Sequence, residues 1–212
     1  MVIATRKKVD IVDGVSGGSL LRVAVDLLIL SVDGDGRLAL LLSRREKAPY
    51  AGCWALPGCF VGYGESAEAS AGRLLNEMLP LQRPAYMEQL YTFTDVNRDP
   101  RGRVISIAYL VIVPWLPLHE TLEQPDARMN AFRVERPGGD LRLRGDSGAE
   151  LRGGDLAFDH SRIIATGLTR LQGKLDYTEI AFHFLCDPES FTLGELQTVY
   201  EAVLGSPVDS SN

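Results

Sequence analysis

The hydrophobic pattern changes period several times along the chain. From Val23 to Ser31 the residues are rich in Val, Leu and Ile, and a short run of this kind reads as a buried strand. Asp33-Gly34-Asp35-Gly36 follows, a turn signal because Asp-Gly accepts positive φ at low cost, and Leu38 to Leu42 reads as the returning strand. Residues 46–57 hold Pro49, Gly52 and Pro57 and predict a loop that ends in a short strand. The period then becomes helical. Ala67, Ala71, Leu74, Leu75, Met78 and Leu79 fall on one face of a predicted helix over Glu65 to Leu79. Ser66 is its expected N-cap and Pro80 its stop. Met87 to Thr94 and Val104 to Pro114 predict strands, separated by the turn-rich stretch Asn97 to Gly102. Ala131 to Val134 predicts one more short strand.

Residues 137–154 are rich in Gly, Asp and Arg. Gly138-Gly139-Asp140-Leu141-Arg142 is echoed by Gly153-Gly154-Asp155-Leu156. One short echo does not make a repeat architecture, so the stretch reads as a hairpin-like loop or linker and as the expected domain boundary. Beyond it, Ile163, Ile164, Leu168 and Leu171 suit an amphipathic helix. Thr192 and Glu195 have the spacing of a capping box, ahead of an apolar stripe of Leu196, Val199, Tyr200, Val203 and Leu204. Gly205 fits the helix end. The expected division is an N-terminal arm at 1–19, polar and Gly/Ser-rich near Gly17-Gly18, a domain at 20–154 and a helical module at 155–212.

Composition narrows the class. A chain of 212 residues that is 45% hydrophobic can bury a real core. The longest apolar stretch, Leu20 to Leu30, is broken by Arg22 and Asp26, far short of the roughly 18–20 residues of a membrane span. Arg6, Lys7 and Lys8 are followed by Asp10 and Asp13 where a signal peptide needs an apolar core, so a cytoplasmic location is expected. Cys53, Cys59 and Cys186 are odd in number and form no CxxC pair, which indicates neither a disulfide framework nor a zinc site. The net charge of −6 disfavours nonspecific nucleic-acid binding, because phosphate neutralisation needs a basic patch.

Most information lies in Pro57-Gly58-Cys59-Phe60-Val61-Gly62-Tyr63-Gly64-Glu65 followed by Arg73-Leu74-Leu75-Asn76-Glu77-Met78. Together with the approach Trp54-Ala55-Leu56, this segment resembles the Nudix box: a Gly-rich loop, a Glu, seven residues, then Arg-Glu-x-x-Glu-Glu on a helix. Loop, spacing and helix jointly make the match specific. Cleaving a pyrophosphate requires a divalent cation, which takes oxygen ligands such as glutamates on one helical face. Here Leu74 and Met78 stand where two of those glutamates belong, Glu77 alone remains, and Cys59 replaces a box glycine. The resemblance implies that the Gly58 carbonyl stays available to a metal, yet one helix carboxylate is too little charge to hold catalytic magnesium. The expectation is therefore loss of hydrolysis, with no catalytic residue and no cofactor. Glu65 and Arg73 read as a pair bracing loop against helix. Glu77 reads as an i,i+4 partner of Arg73, ahead of a residual metal ligand.

Further stretches resemble particular branches of the family. Gln89-Leu90-Tyr91-Thr92-Phe93-Thr94, then Arg98 through Ser106 and Tyr109, are similar to the ADP-ribose-related Nudix group. Leu156-Ala157-Phe158-Asp159-His160, Leu171-Gln172-Gly173-Lys174-Leu175-Asp176-Tyr177-Thr178 and Phe191-Thr192-Leu193-Gly194-Glu195-Leu196-Gln197 are similar to the Nudix-related transcriptional regulators of the NrtR family. The resemblance runs from about Arg22 to Asn212. It implies an α/β (α+β) chain: a Nudix α/β/α sandwich with a mixed sheet, followed by a small, partial winged helix-turn-helix module. It also implies a homodimeric repressor, typically of NAD-related genes, released by ADP-ribose or a related nucleotide or sugar phosphate. In the family a basic recognition helix and wing follow the Val208-Asp209 region. This sequence ends at Asn212, and from Asp159 onward three basic residues (Arg162, Arg170, Lys174) stand against eight acidic ones. Such a surface repels DNA, so operator binding is expected only where the full-length chain carries the recognition helix.

The candidate ligand residues are Arg45, Phe60, Arg98, Arg101 and Tyr109. Guanidinium groups match phosphate bidentately. For Arg98 and Arg101 phosphate contact and a solvated turn stand even, whereas Arg103 reads as solvated. One of Arg44 and Arg45, at a strand end near the pocket mouth, is expected at a phosphate. Phe60 is the preferred platform for an adenine ring over Trp54, read as core, and Tyr63. His160 reads as a structural hydrogen-bonding residue pinning the following helix, and Tyr177 and Thr178 as packing residues of the C-terminal module. Two other readings compete. One is an active ADP-ribose pyrophosphatase using magnesium or manganese at Glu77 with help from Asp95, Glu120 or Glu123. The other is a protein-interaction module without a small-molecule response.

Overall fold

The computed structural model describes residues 21–208 except 83, 125–127, 137–138, 147 and 176. The expected arm at 1–19 lies outside the described residues, as do Asp176 and Asp209. Among the described residues nine strands form one mixed sheet: β1 (Arg22–Val32), β2 (Leu38–Arg44), β3 (Trp54–Ala55), β4 (Gly58–Phe60), β5 (Tyr86–Phe93), β6 (Val104–Ile112), β7 (Met129–Glu135), β8 (Arg142–Gly145) and β9 (Glu150–Arg152). Its order is β5-β6-β1-β2-β7-β8-β9, with β3 on β2 and β4 on β1. The β1–β6 pair is parallel, while β1–β2, β1–β4 and β5–β6 are antiparallel.

The strand period of two assigns each residue of β1 to a layer. Val25, Leu27 and Ile29 enter a core with Ala71 and Leu75 of α1 (Ala67–Met78), its C-cap Leu79 and Leu118 of α2 (Trp115–Leu122). Leu28 and Leu30 enter the opposite core with Ile163, Ile164, Leu168 and Leu171 of α3 (His160–Leu175) and Val199 and Val203 of α4 (Leu193–Leu204). Helices on both sheet faces explain why β1 reads as an apolar run and not as an alternation. The result is the α/β/α sandwich implied by the sequence.

Both helix caps read from sequence are formed. The Ser66 hydroxyl accepts from the Ala69 amide at 3.0 Å. The Thr192 hydroxyl accepts from the Glu195 amide at 3.2 Å while the Glu195 carboxylate accepts from the Thr192 amide at 2.7 Å. Gly205 ends α4 at φ 70°, where a residue without Cβ is favoured.

Three features depart from the sequence reading. Of the two readings of the 137–154 stretch the hairpin holds and the linker does not, since β8 and β9 extend the sheet through it, pairing β7 with β8 and β8 with β9. The expected boundary at 154/155 falls inside one core, because α3 supplies the second helical layer of the sandwich. Tyr177 is exposed, while Thr178 caps a 3-10 segment over Glu179–Phe184. No helix of the described residues is long and apolar enough to cross a membrane.

Helix and sheet approach closely at Gly167 of α3, where an added Cβ would stand 2.0 Å from Cδ2 of Leu28 and 3.2 Å from Cδ2 of Leu90. Leu28 is fully buried, so its methyl has no room to yield. Gly167→Val is expected to cost about 1–3 kcal/mol through overpacking, read as a lowered urea midpoint at unchanged m-value. A midpoint equal to that of the parent would contradict this packing.

Candidate ligand-binding site

The even-numbered residues of β1 put Asp26 on the α3 side, in the middle of an apolar strand. A buried carboxylate there requires partners, and they come from three elements. The Ser106 hydroxyl of β6 donates to it. The Arg98 guanidinium, 4% exposed in its side chain, reaches it at 3.3 Å. Arg98 also grips Asp159 with two hydrogen bonds, Nη2 to Oδ1 at 2.7 Å and Nε to Oδ2 at 3.1 Å. His160 begins α3 beside this cluster. Its Nδ1 accepts the Leu56 amide at 2.8 Å, so the proton of the neutral ring sits on Nε2, 3.6 Å from Asp26 Oδ1. Burial pushes the imidazole below its ordinary pKa, and the Asp26 charge opposes that only in part. Loop, sheet and α3 are thus clasped at one point.

Next to the clasp lies a cavity of about 80 Å³ lined by Ala24 and Asp26 of β1, Gly58, Cys59 and Phe60 of β4, Arg98, Asp99 and Arg101 of the β5–β6 turn, Val104, Arg45, Phe158 and His160. Gly58 permits this closeness, since a Cβ on it would meet Asp26 Oδ1 at 2.4 Å. Cations and rings alternate around the cavity. Arg22 lies over Phe60 at 4.5 Å, Arg101 is 5.4 Å from the ring centres of both Phe60 and Phe158, and Arg45 lies over Phe158 at 4.7 Å. Tyr50 meets Phe158 edge-on at 4.9 Å. Each desolvated cation–ring contact contributes about 0.5–2 kcal/mol. Tyr50 and Phe158 adopt φ 62° and 54°, strained for bulky side chains at roughly 1–3 kcal/mol each.

The cations differ in commitment. Arg98 is held by two carboxylates. Arg101 is paired with Asp99 at 2.6 Å; burial pushes the Asp99 carboxyl up, but hydrogen bonds from Arg101 outweigh it and hold it below its ordinary value. Arg45 donates to the carbonyls of Pro49 and Lys47 and forms no ion pair among the described residues. Burial, and secondarily the Arg101 charge, lower its pKa, yet an arginine remains protonated. The cavity therefore presents one partly buried cation free to take an anion.

Of the five sequence candidates, Arg45, Phe60, Arg98 and Arg101 line this cavity. Tyr109 does not. Its odd register on β6 turns it to the α1 side, where it is 5% exposed within the apolar core and burial raises its phenol pKa. Arg98 reaches the cavity already neutralised, which leaves Arg45 the stronger anion contact. Arg44 and Arg103 bind backbone carbonyls, of Gly52 and of Thr94 and Asp95. Trp54 packs edge-on against Phe132 at 4.9 Å, and Tyr63 is fully exposed. Sequence reasoning missed Phe158, Tyr50, Asp26 and Arg22. The Leu156–His160 stretch signalled Phe158, but no periodicity reveals a ring that is placed by a left-handed backbone.

A second cavity, of about 650 Å³, lies between the α1–β5 loop, α2 and the 3-10 segment. Its described lining includes Pro80, Leu81, Tyr86, Leu116, Pro117 and Phe182, with Glu120 and without a Lys or Arg. It suits an anionic ligand poorly.

The box helix occupies the other sheet face. Arg73 donates to both oxygens of Glu65, at 2.8 and 2.9 Å, and to Glu77 at 3.3 Å. The Ser70 hydroxyl also donates to Glu65 at 2.7 Å. The Arg73 bonds foremost, then the Ser70 bond, lower the Glu65 pKa to about 2. Leu74 and Met78 pack against the α1-side core. The helix face that would hold a magnesium ion thus offers one carboxylate, already engaged by a guanidinium, and two apolar side chains. Among the described residues no three His, Cys, Asp or Glu side chains gather as a metal site. This donor set does not fit a catalytic divalent cation.

The NUDIX domain model matches residues 20–138, and the model of the NrtR DNA-binding winged helix domain matches residues 181–212. The chain is 32% identical over 185 residues to the ADPR responsive transcriptional repressor NtrR of Acinetobacter baylyi, covering 86% of this chain and 66% of that protein. It is 34% identical over 148 residues to the ADP-ribose pyrophosphatase of Methanocaldococcus jannaschii, covering 67% of this chain and 70% of that one. The crystal structure of Shewanella oneidensis NrtR superposes with a TM-score of 0.70 at 28% identity, over 89% of this chain and 78% of that chain. The same protein complexed with a 27mer DNA superposes with a TM-score of 0.69.

Two outcomes follow from this geometry. Arg98→Met leaves two carboxylates facing each other in a buried place, and breaking such a set costs about 3–5 kcal/mol; a urea midpoint shifted by less than a third of that would refute the clasp. The Glu65 carboxyl, depressed to about 2, contributes stability above its unfolded value near 4.5 and loses it as pH falls through about 2. Urea midpoints of the parent are expected to fall more steeply between pH 4.5 and 2 than those of Glu65→Gln, and parallel profiles would show that the pairing carries no linkage.

Proposed function

Because the chain belongs to the Nudix family and carries a segment matching the NrtR winged helix, we propose that it is a transcriptional repressor whose Nudix-like domain binds ADP-ribose, or a related nucleotide or sugar phosphate, without cleaving it. The observation that carries this reading is Arg45, a partly buried cation without a carboxylate partner, set in a ladder of guanidinium groups and aromatic rings. A pyrophosphate would satisfy Arg45 and compete for Arg101, and a purine would stack on Phe60. The named activity of the Acinetobacter baylyi relative supports the choice of effector. That protein is longer, this chain spanning about two thirds of it. The Shewanella oneidensis structure with DNA supports operator DNA as the partner. The proposal extends to a homodimer in the cytoplasm, as the family resemblance implies.

Hydrolysis is left out, because Leu74 and Met78 cannot supply oxygen ligands and Glu77 is engaged by Arg73. The DNA-facing surface is not α4, which carries Glu195 and Glu201 and no Lys or Arg, since phosphate contacts require positive charge.

Calorimetry of ADP-ribose against the chain should show saturable binding. Arg45→Ala should weaken it at least tenfold, and chromatography should show no AMP release with magnesium or manganese. Absence of binding removes the sensor reading, and turnover at an ordinary enzyme rate restores the hydrolase.

A further inference from the structure

The cavity volume of about 80 Å³ is well below the roughly 300–1,000 Å³ of small-molecule pockets. A nucleotide enters only if part of the lining moves. Ala24, Asp26, Gly58, Cys59 and Val104 are held by strand pairing. Arg98 is gripped by Asp26 and Asp159, and His160 is buried with its Nδ1 bonded to the Leu56 amide. The candidates for movement are the side chains of Arg45, Arg101 and Phe60, at the rim, and Phe158, whose ring separates Arg45 from Arg101. Phe158 alone among these sits in a left-handed backbone conformation, at φ 54°, which is strained for a bulky side chain and is held only by its surroundings.

We propose that Phe158 is a gate: its ring fills the place that the ligand takes, and ligand entry expels it. This rests on the cavity being the ADP-ribose site. The next two residues are Asp159, held by Arg98, and His160, the first residue of α3. Expulsion of the ring turns the backbone that delivers both. The grip of Arg98 on Asp159 loosens, and the first turn of α3 shifts. The far end of α3 is joined to α4 by hydrogen bonds from Gln172 Nε2 to the Val203 carbonyl at 3.0 Å and from the Tyr200 hydroxyl to the Leu175 carbonyl at 3.2 Å. Occupancy of the cavity thus reaches the segment matched to a winged helix through one continuous helix. A two-state element biased by the ligand is what such coupling requires.

The test pairs calorimetry with amide hydrogen exchange on the full chain, with and without ADP-ribose. In the parent protein, ligand is expected to speed exchange several-fold in the first turn of α3, residues 160–164, while slowing it in β1 and β4. In Phe158→Ala the first turn should exchange fast already, and ADP-ribose should add no further change there. Phe158→Leu, which keeps an apolar side chain in case the alanine variant folds poorly, should give the same separation of binding from response. Binding by the parent without any change at residues 160–164 overturns the gate and leaves the site standing. Loss of more than tenfold in affinity in both variants also overturns it, since the ring is then a stacking platform. No binding by the parent removes the gate together with the site.

Discussion

The structure turns on how one guanidinium is shared. Asp26 interrupts an otherwise apolar central strand, and burying its charge is tolerable only because Arg98, Ser106 and His160 converge on it. Arg98 spends its remaining donors on Asp159, just ahead of α3. The interaction therefore does two things. It makes a carboxylate admissible in the core, and it fixes where the long helix starts against the sheet. The set carries one more carboxylate than cation while the imidazole is neutral, and Asp26 is among the charges that favour protonated Arg45. The clasp thus helps keep a cation in the cavity.

Strand parity separates two histories within one sheet. Odd positions of β1 and β6 face α1, where the box residues Glu65, Arg73 and Glu77 now bind one another while Leu74 and Met78 join the core. Even positions face α3, where the cavity, its rings and its cations lie. The two faces meet at the box loop, where Gly58, Cys59 and Phe60 line the cavity while Cys59 also packs against the α1-side core. Leu74 and Met78 of α1 pack against the same core that takes the odd residues of β1 and β6.

Much of this was legible in the sequence. The apolar run at Val23–Ser31, the Ser66 and Thr192 caps and the Gly205 terminus are encoded by neighbouring residues, and each formed close to its expected place. The 137–154 stretch could not be told apart as hairpin or linker because Gly and Arg dominate it, whereas in the structure β8 and β9 form a hairpin at one side of the sheet, with β9 at its edge. The packing of α3 was not readable for a related reason: an amphipathic helix reads the same whether it covers its own sheet or begins a new module. Tyr109 came from the family resemblance alone, and strand parity, which the resemblance did not take into account, sets it in the α1-side core away from the cavity. Phe158 and Tyr50 were out of reach, since left-handed backbone at a bulky residue is set by tertiary surroundings and leaves no periodic trace.

The sheet order also dictates when the molecule can become native during synthesis. β1 pairs with β6 some eighty residues later, and the helical layer over the apolar face formed by Leu28, Leu30, Leu40 and Leu42 comes from α3, the 3-10 segment and α4, which follow every strand of the sheet. A nascent chain released as far as residue 138 would therefore have a finished α1 side and a wet, sticky opposite side. Such half-clad sheets are aggregation-prone and depend on chaperones until the missing layer arrives. For this protein the helices that follow the sheet in the sequence are the ones that shield its first strands from water.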